Sequence, residues 1–298
     1  MLLKEAATFA RQCAAGRRVV TRFAPSPNGS LHLGHAYAAI AAHDFARAAG
    51  GKFLLRIEDI DGSRSRTEHV DAIIEDLKWL ELDWDDDVIF QSARIDSYRA
   101  ALERLKAEGL IYRCSCTRSE IADALKTRPV RHGPDGPVYP GCCRGQNVGD
   151  EEAHCWRLDM AAAAARAGPL AWHDLAVGEQ EADPAQFGDV VIWRKDAPAS
   201  YHLAATLDDA ADGISHVVRG EDLLAYSASH RLLRALLDLP EPVYWHHRLI
   251  LDEDGEKLSK SRKSAALSAM RCVGIDGVQL ANRLRKGELP LGMLRFSH

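Results

Sequence analysis

The chain has 298 residues, of which 46% are hydrophobic and 27% are charged, and its formal net charge is −5. No apolar run reaches the ~18 residues of a membrane span, and residues 1–18 are amphipathic and charged, unlike a secretory signal. We therefore expect a cytoplasmic chain with a substantial core and no membrane partner. The acidic balance argues against DNA or RNA binding by overall electrostatic field alone.

Residues 19–35, VVTRFAPSPNGSLHLGH, organise the rest of the chain. Their apolar start predicts a short buried strand, the prolines and Gly29 break it, and a helix is expected to begin near Leu31. Such a junction at the edge of a parallel sheet favours nucleotide binding, because the free N–H groups and the dipole of the helix attract phosphate oxygens. The usual phosphate loops, GxxxxGK[ST] and GxGxxG, are absent from it.

Two histidines mark the start of this helix. His32 and His35 lie one helical turn apart, and Gly34 beside them lets a ring or a phosphate come close. Imidazoles in this position can donate hydrogen bonds to oxygens that gain charge as a phosphorus centre is attacked. The alternatives are a pair of zinc ligands or two surface histidines, although no Glu completes an HExxH site.

A second strand is predicted at residues 52–57, KFLLRI. It would deliver Glu58 to the carboxyl edge of the sheet, which is the ligand side of open α/β sheets. Glu58 could equally cap a helix or form a salt bridge.

The remaining pattern alternates between helical and extended spacing. From about residue 111 to 149, cysteines, glycines and prolines replace helical periodicity, which indicates an insertion. The other predicted elements are helices at 36–49, 67–80, 95–108, 161–165, 201–210 and 226–237, and strands at 88–90, 189–195, 213–219 and 248–251, with a strand or hairpin between 166 and 182.

A cationic stretch, KLSKS at 257–261, follows the predicted strand 248–251 and a turn. Lys257 and Lys260, interleaved with Ser259 and Ser261, form a mobile cationic loop suited to polyphosphate. Together, HLGH and KLSKS resemble the HIGH and KMSKS signatures of class I aminoacyl-tRNA synthetases. The resemblance is narrowed to the glutamyl branch by four further motifs: RFAPSPNGSLHLGH, RIEDID, SYHLA and HVVRGEDLL. Within that branch the chain looks most like the glutamyl-queuosine tRNA(Asp) members.

The resemblance, which covers residues 19–265, implies an α/β fold: a Rossmann-type catalytic domain with a zinc-bearing insertion and a short helical C-terminal remnant. About 35 residues follow the lysine loop, too few for an anticodon-binding domain. The implied divisions are an N-terminal extension at 1–18, catalytic halves at 19–112 and 189–263, an acceptor-binding-like insertion at 113–188, and a tail at 264–298.

The resemblance also implies a glutamate pocket. A glutamate brings one ammonium and two carboxylates, so it needs an anionic partner and fixed cationic or hydroxyl donors. On sequence alone, Tyr201 could be an ordinary half-buried aromatic, and Arg219 could form an ion pair with Glu221 or Asp222. The positions that match the family's glutamate-binding residues are Arg22, Phe23, Ala24, Pro25, Ser26, Glu58, Tyr201 and Arg219.

The implied first reaction is attack of the glutamate α-carboxylate on the α-phosphorus of ATP, which releases pyrophosphate and gives glutamyl-adenylate. This step needs positioning and charge neutralisation. Mg²⁺ is expected with the ATP, without a dedicated protein cage. The expected catalytic residues are His32, His35 and Lys260, and the expected ATP-binding residues are His32, Gly34, His35, Lys257 and Lys260.

Seven cysteines, at 13, 114, 116, 142, 143, 155 and 272, suggest a metal before disulfides in a cytosolic chain. Thiolates with one more donor suit one structural zinc ion, which can fix a loop of low apolar content. The family's CxC...YxxxC pattern matches Cys114, Cys116, Tyr139 and Cys143. Cys142 leaves the register open, because its thiolate could replace the tyrosine oxygen; a reduced cluster without metal is the other alternative.

The resemblance implies that the acceptor is tRNA(Asp) bearing queuosine, with Arg118 and Arg144 as possible phosphate contacts, and no DNA partner is expected. Alternatives are a truncated conventional glutamyl-tRNA synthetase and a non-catalytic tRNA- or nucleotide-binding paralogue. Each basic cluster alone is more typical of a solvated face. The candidates for a local basic surface are Arg64, Arg66, Arg118, Arg128, Arg131, Arg144, Arg262 and Lys263.

Overall fold

The computed structural model describes residues 2–13, 18–252, 254–258, 265–289 and 295–297. The helices are α1 (Leu2–Cys13), α2 (Leu33–Ala48), α3 (Thr67–Trp79), α4 (Ile95–Ala107), α5 (Arg118–Thr127), α6 (Met160–Ala167), α7 (Tyr201–Ala211), α8 (Tyr226–Leu236), α9 (Leu267–Cys272) and α10 (Gly277–Lys286). The strands are β1 (Val20–Phe23), β2 (Lys52–Ile57), β3 (Ile89–Phe90), β4 (Ile111–Cys114), β5 (His132–Gly133), β6 (Gly136–Pro137), β7 (Cys155–Leu158), β8 (Ala171–Asp174), β9 (Gly178–Glu181), β10 (Val191–Trp193), β11 (His216–Gly220), β12 (Val243–His247), β13 (Ile250–Leu251) and β14 (Arg295–Phe296).

Two largely parallel sheets lie edge to edge. One has the order β3-β2-β1, and the other has the order β11-β12-β8-β9 with β9 antiparallel. Ser215, directly before β11, donates its N–H to the Val20 carbonyl of β1. The resulting order β3-β2-β1-β11-β12 is that of a doubly wound nucleotide-binding fold, in which ligands bind where the order reverses. The Rossmann-type α/β prediction is therefore confirmed, and the expected site falls between β1 and β11.

Helix α2 holds the centre of this fold. Ala36, Ala39 and Ile40 are fully buried, and the helix packs against α1, β1 and β11. Its alanines allow close approach to the sheet, because a methyl group leaves little between the two backbones. The helix begins at Leu33, two residues later than predicted, since His32 is extended and acts as the N-cap.

A third sheet, of antiparallel strands, has the order β10-β7-β4. Helix α5 follows β4 in a stretch where we expected no helix. Thr117 and Glu120 form a capping box there: the Thr117 hydroxyl accepts from the Glu120 N–H at 3.2 Å, and the Glu120 carboxylate accepts from the Thr117 N–H at 2.7 Å. This T-x-x-E signal was available in the sequence.

Strand pairing does not follow the predicted division at residue 188. β8 and β9, which we placed in the insertion, join β12 in the catalytic sheet. β10, which we placed in the catalytic half, pairs with β7. An apolar run predicts a buried strand but does not specify its partner, because the same period fits either sheet.

The tail after residue 264 contains α9 and α10, which pack against α3, α1 and α2. The short strand β14 pairs with β13. Strand β12 was not predicted, and only residues 250–251 of the expected strand 248–251 are extended. None of the helices in the described part of the chain has the length and apolar character needed to cross a bilayer.

Candidate active site

A pocket of about 600 Å³ opens at the carboxyl ends of β1 and β11. Every predicted glutamate-binding residue lines it, and so do all the predicted ATP-binding residues except Lys260, which lies outside the described residues. The lining residues that we predicted are Arg22, Phe23, Ala24, Pro25, Ser26, His32, Gly34, His35, Glu58, Tyr201, Arg219 and Lys257.

Arg22, on β1, is buried and held by a carboxylate that sequence reasoning missed. Its Nε and one terminal nitrogen donate to Asp209 of α7 at 2.9 and 3.2 Å, and its other terminal nitrogen donates to the Val218 carbonyl. A two-point arginine–carboxylate pair fixes the guanidinium plane. Asp209 therefore both orients Arg22 and compensates its charge.

Glu58 lies at the end of β2 beside a fully buried arginine. The nearest nitrogen of Arg56 is 3.7 Å from its carboxylate, while another donates to Asp209 at 2.9 Å and to Asp212 at 3.2 Å. Desolvation by burial raises the pKa of Glu58 to about 7, and the charges of Arg56 and Arg22 oppose this rise. The ionised form of Glu58 is thus incompletely compensated by the protein, and the residue lines the pocket.

Arg219, on β11, has a different environment from Arg22. Its nitrogens contact polar atoms of three side chains that are not carboxylates: His246 Nε2 at 3.0 Å, His230 Nδ1 at 3.3 Å and Ser227 Oγ at 2.7 Å. Among the described residues, no carboxylate oxygen lies within 4.0 Å of its nitrogens, and Asp222 pairs with Lys257 instead. Within the part of the chain that the structure describes, the Arg219 guanidinium is therefore buried in the pocket without a directly paired anion.

Tyr201 begins α7 and lines the same pocket as Glu58 and Arg219. Its ring is 5.5 Å from the His230 ring, centroid to centroid. Burial raises its pKa, opposed by the charge of Arg219. The phenol therefore stays neutral and can donate a hydrogen bond to a substrate oxygen.

The rings of His32 and His35 are in contact at the start of α2, tilted by 43° with their centroids 3.8 Å apart. His32 Nδ1 accepts from the Gly34 N–H at 3.1 Å, and His35 Nδ1 accepts from the His32 N–H at 3.2 Å. Because both Nδ1 atoms accept, the proton of each neutral ring is on Nε2. A Cβ on residue 34 would lie 3.1 Å from His32 Cε1, so Gly34 makes room for the ring itself.

Lys257 is half-exposed at the rim of the pocket and forms a salt bridge with Asp222. One cation of the lysine loop therefore lines the same pocket as the two histidines at the start of α2. The arrangement suits a polyphosphate, which needs several donors and a movable positive charge.

The insertion contains a cysteine cluster (Cys114, Cys116 and Cys143) whose sulfur atoms lie within 4.8 Å of one another. Tyr139 Oη is 3.3 Å from Cys114 Sγ and 3.6 Å from Cys116 Sγ. A hydrogen bond involving Cys155 lowers the pKa of Cys114, which favours the thiolate form. Three thiolates with a nearby oxygen fit tetrahedral zinc, and Cys142 is not part of the cluster.

The two suggested tRNA contacts differ in their surroundings. Arg118 is exposed at the start of α5. Arg144 donates through two nitrogens to the buried Asp189, which also accepts from Tyr112. Arg144 is therefore anchored by the protein itself, whereas Arg118 remains accessible.

Comparisons with known proteins agree with this geometry. The family described as "tRNA synthetases class I (E and Q), catalytic domain" matches residues 18–286. A glutamyl-Q tRNA(Asp) synthetase of Rhodobacter capsulatus is 47% identical over 86% of this chain and 96% of its own length. A glutamate–tRNA ligase of Oleidesulfovibrio alaskensis is 39% identical over 90% of this chain and 56% of its own.

Among solved structures, a glutamate tRNA ligase from Elizabethkingia meningosepticum in complex with its amino acid is 27% identical, with a TM-score of 0.67. The match covers 83% of this chain and 53% of the ligase, so this chain spans about half of that protein. Methionyl-tRNA synthetase of Mycobacterium tuberculosis, at 15% identity and a TM-score of 0.55, shares the fold. The chain belongs to the class I tRNA synthetases of the glutamate and glutamine branch, a family of ligases, and within it to the glutamyl-Q tRNA(Asp) synthetases.

Proposed function

We propose that the protein uses ATP to convert L-glutamate to glutamyl-adenylate, without needing tRNA for this step. It then transfers the glutamate to the queuosine base in the anticodon of tRNA(Asp). The observation that carries the proposal is the charge pattern of the pocket: Glu58 and Arg219 face it with opposite and incompletely compensated charges.

This pattern is complementary to an amino acid with an acidic side chain. Glu58 would receive the ammonium group, while Arg219 and the Tyr201 hydroxyl would receive a carboxylate. A neutral amide in place of that carboxylate leaves the buried guanidinium underpaired, at a cost of roughly 2 to 5 kcal/mol. The pocket would therefore select glutamate over glutamine.

ATP would bind across the start of α2. The Nε2–H groups of His32 and His35 would donate to phosphate oxygens, and Lys257 with Lys260 would neutralise charge as pyrophosphate leaves. Mg²⁺ would arrive with the ATP and supply further charge neutralisation. The reaction then depends on alignment of the glutamate carboxylate with the α-phosphorus more than on an acid or a base.

The proposed acceptor is supported by the Rhodobacter capsulatus relative, which this chain matches over 96% of that relative's length, and by the chemistry of queuosine. The cyclopentene-diol of queuosine offers neighbouring hydroxyls on a five-membered ring, as a 3'-terminal ribose does in ordinary charging. An anticodon loop can present this group, because its unstacked bases reach into pockets. The exposed Arg118 is a candidate phosphate contact. Since ATP and tRNA are its proposed substrates, we place the enzyme in the cytoplasm.

We further propose one structural zinc ion in the insertion, held by Cys114, Cys116, Tyr139 and Cys143. The short distances from Tyr139 Oη to two sulfurs support the tyrosine over Cys142 as fourth donor. The ion would fix the loop between β4 and β7 in a region where hydrophobic contacts are few.

The second candidate function is conventional charging of a tRNA 3' end, favoured by the 39% identity to a glutamate–tRNA ligase. The test incubates the enzyme with labelled glutamate, ATP and tRNA(Asp) with or without queuosine. A periodate treatment after charging shows whether the 3' diol is still free. We expect queuosine-dependent label with an oxidisable 3' end. Equal labelling without queuosine, or charging of tRNA(Glu), would favour the second candidate.

The activation step is tested separately by glutamate-dependent ATP–pyrophosphate exchange without tRNA. Exchange is expected in the unmodified enzyme, and its loss in Arg219→Ala with ATP binding retained would tie Arg219 to the amino acid. No exchange under any condition would instead support a non-catalytic tRNA- or nucleotide-binding protein.

A further inference from the structure

A chain of buried polar groups runs from Arg219 into the second sheet. Arg219 Nε donates to His246 Nε2 at 3.0 Å, and His246 Nδ1 lies 2.7 Å from an oxygen of Asp174. Arg219, His246 and Asp174 are 6%, 5% and 0% exposed. None of the motifs in the sequence pointed to His246 or Asp174.

The hydrogen bonds fix which nitrogen of His246 carries the proton. Because Arg219 can only donate, His246 Nε2 must accept, and the proton must be on Nδ1, facing Asp174. Burial, together with the charge of Arg219, lowers the pKa of His246 to about 4 against the opposing hydrogen bond to Asp174. The imidazole is therefore neutral.

Asp174 is itself held in place at the end of β8. One of its oxygens accepts from the N–H groups of Ala176 and Val177, and the other accepts from the backbone N–H of His246. Burial opposes ionisation of Asp174, but the hydrogen bond from His246 and these N–H groups keep its pKa below the usual range. A fixed carboxylate thus stands one imidazole ring away from Arg219.

The two arginines of the pocket differ in how far they lie from a compensating carboxylate. Arg22 contacts its carboxylate directly, so most of its charge is compensated within the protein. Arg219 instead has a neutral ring between itself and Asp174, so its orientation is fixed while its charge still acts on the pocket. In a low-dielectric site, a guanidinium in this state attracts a substrate carboxylate strongly and an amide weakly.

We propose that Asp174 and His246 are positioning residues that hold Arg219 ready for a substrate carboxylate and thereby set the preference for glutamate over glutamine, an inference that rests on the proposed function. Ser227 completes the arrangement, since its hydroxyl accepts from Arg219 at 2.7 Å. A carboxylate in direct contact with Arg219 would weaken the same selectivity by taking the place of the substrate.

The test measures glutamate-dependent ATP–pyrophosphate exchange and obtains KM for glutamate, KM for ATP and kcat/KM for glutamine. In Asp174→Asn the side-chain amide can donate to His246 Nδ1, which favours the tautomer with the proton on Nε2. That Nε2–H then faces the N–H of Arg219, and the hydrogen bond between the two side chains is lost. We expect KM for glutamate to rise ~10- to 100-fold in Asp174→Asn and in His246→Leu, because a buried donor loses its acceptor. KM for ATP should change less than about twofold, and discrimination against glutamine should fall.

His246→Gln is the conservative variant, because its amide oxygen can accept from Arg219 while its N–H donates to Asp174. It should keep KM for glutamate within about threefold of the unmodified enzyme. Asp83→Asn is a matched control, since Asp83 contacts the His43 imidazole at 2.9 Å outside the pocket. It should leave all three constants unchanged. Thermal unfolding of each variant identifies those that have lost their fold.

The outcomes separate this inference from the proposed function. A folded Asp174→Asn or His246→Leu enzyme with unchanged KM for glutamate and unchanged rejection of glutamine would overturn the inference. Equal defects in the KM values for glutamate and ATP would also overturn it, because they indicate general loss of structure. Lack of glutamate-dependent exchange in the unmodified enzyme would overturn the proposed function instead.

Discussion

His32 and His35 cap the helix on which His35 stands. Each Nδ1 accepts a hydrogen bond from a backbone N–H at the start of α2, at 3.1 and 3.2 Å, and the centroids of the two tilted rings lie 3.8 Å apart. The same contacts that stabilise the helix N-terminus fix both Nε2–H groups as donors. The structural role of this histidine pair and its proposed catalytic role therefore depend on the same contacts.

Gly34→Ala tests both roles, because it perturbs the position of the His32 ring. A methyl group at residue 34 would lie 3.1 Å from His32 Cε1 and displace the ring, whereas alanine is a better helix former by ~1 kcal/mol. We expect adenylate formation to slow by about tenfold, the rate equivalent of about 1.4 kcal/mol, with little net change in thermal stability, because the gain in helix propensity offsets the weakened His32 cap. Single-turnover activation and thermal unfolding measure the two effects.

The matched control for this change is Gly62→Ala, because a Cβ at residue 62 meets nothing within 4 Å. It should leave the activation rate unchanged. Normal activation in Gly34→Ala would show that the position of the His32 ring is unimportant for the reaction.

Glutamate binding should depend on pH through Glu58. Burial raises its pKa to about 7, with Arg56 and Arg22 opposing, so the carboxyl is largely protonated at pH 6 and ionised at pH 8. Only the ionised form attracts the substrate ammonium. We expect KM for glutamate to fall as the pH rises from 6 to 8 and to level off above, measured at saturating ATP.

The linkage to folding has the opposite sign. A carboxyl group whose folded pKa lies above its unfolded value makes the protein less stable as the pH rises from about 4.3 towards 7. Glu58→Gln should therefore flatten both profiles, the KM profile and the dependence of unfolding free energy on pH. A KM profile that survives in Glu58→Gln would assign the dependence to another group.

Zinc content should follow the cysteine cluster. Cys116→Ser should reduce bound zinc well below one ion per chain, because an alcohol is a far weaker ligand than a thiolate. Cys142→Ser is the control and should retain the metal, since Cys142 lies outside the cluster. Elemental analysis of the purified proteins measures the number of zinc ions per chain. Loss of zinc in Cys142→Ser with retention in Tyr139→Phe would assign the fourth position to Cys142.

Asp209→Asn should destabilise the fold strongly. Asp209 accepts from both Arg22 and Arg56 in a buried site, and removal of one partner from such a pair costs about 3 to 5 kcal/mol. Asp238→Asn is the control, because the Asp238 pair with Arg104 is exposed to solvent and contributes little to stability. Urea unfolding measures both. Equal effects would show that Asp209 is screened from its partners.

The two arginines lower the pKa of Asp209 against the desolvation that opposes them. Its contribution to stability is therefore present above the unfolded pKa of about 3.9 and is lost as the pH falls towards the folded value. The stability difference between the unmodified protein and Asp209→Asn should shrink under acidic conditions.

The sequence predicted the residues that line the pocket better than those that support them. HLGH, Glu58, Tyr201 and Arg219 belong to local motifs, and the structure brings them to one pocket. Asp209 and Asp174 belong to no such motif. Their partners lie 187 and 72 positions away, and local periodicity carries no information about a pair at that separation.

The strands show the same limit. Periodicity located β2 and the strand region at β10, because a short apolar run is a local property. It did not show that β10 pairs with β7 while β8 joins β12. Sheet membership depends on contacts between distant segments, which a single sequence does not display.

The contact between Arg22 and Asp209 spans 187 positions of the chain. At a translation rate of about 5 to 20 residues per second, roughly 10 to 40 s pass between synthesis of these two residues. During that interval the carboxylate of Asp209 is not available to Arg22 and Arg56, so the first half of the sheet cannot yet bury these two arginines with their charges compensated. The pocket therefore forms late during synthesis and folding of the chain. Mutations at Asp209 should reduce the yield of folded enzyme in the cell.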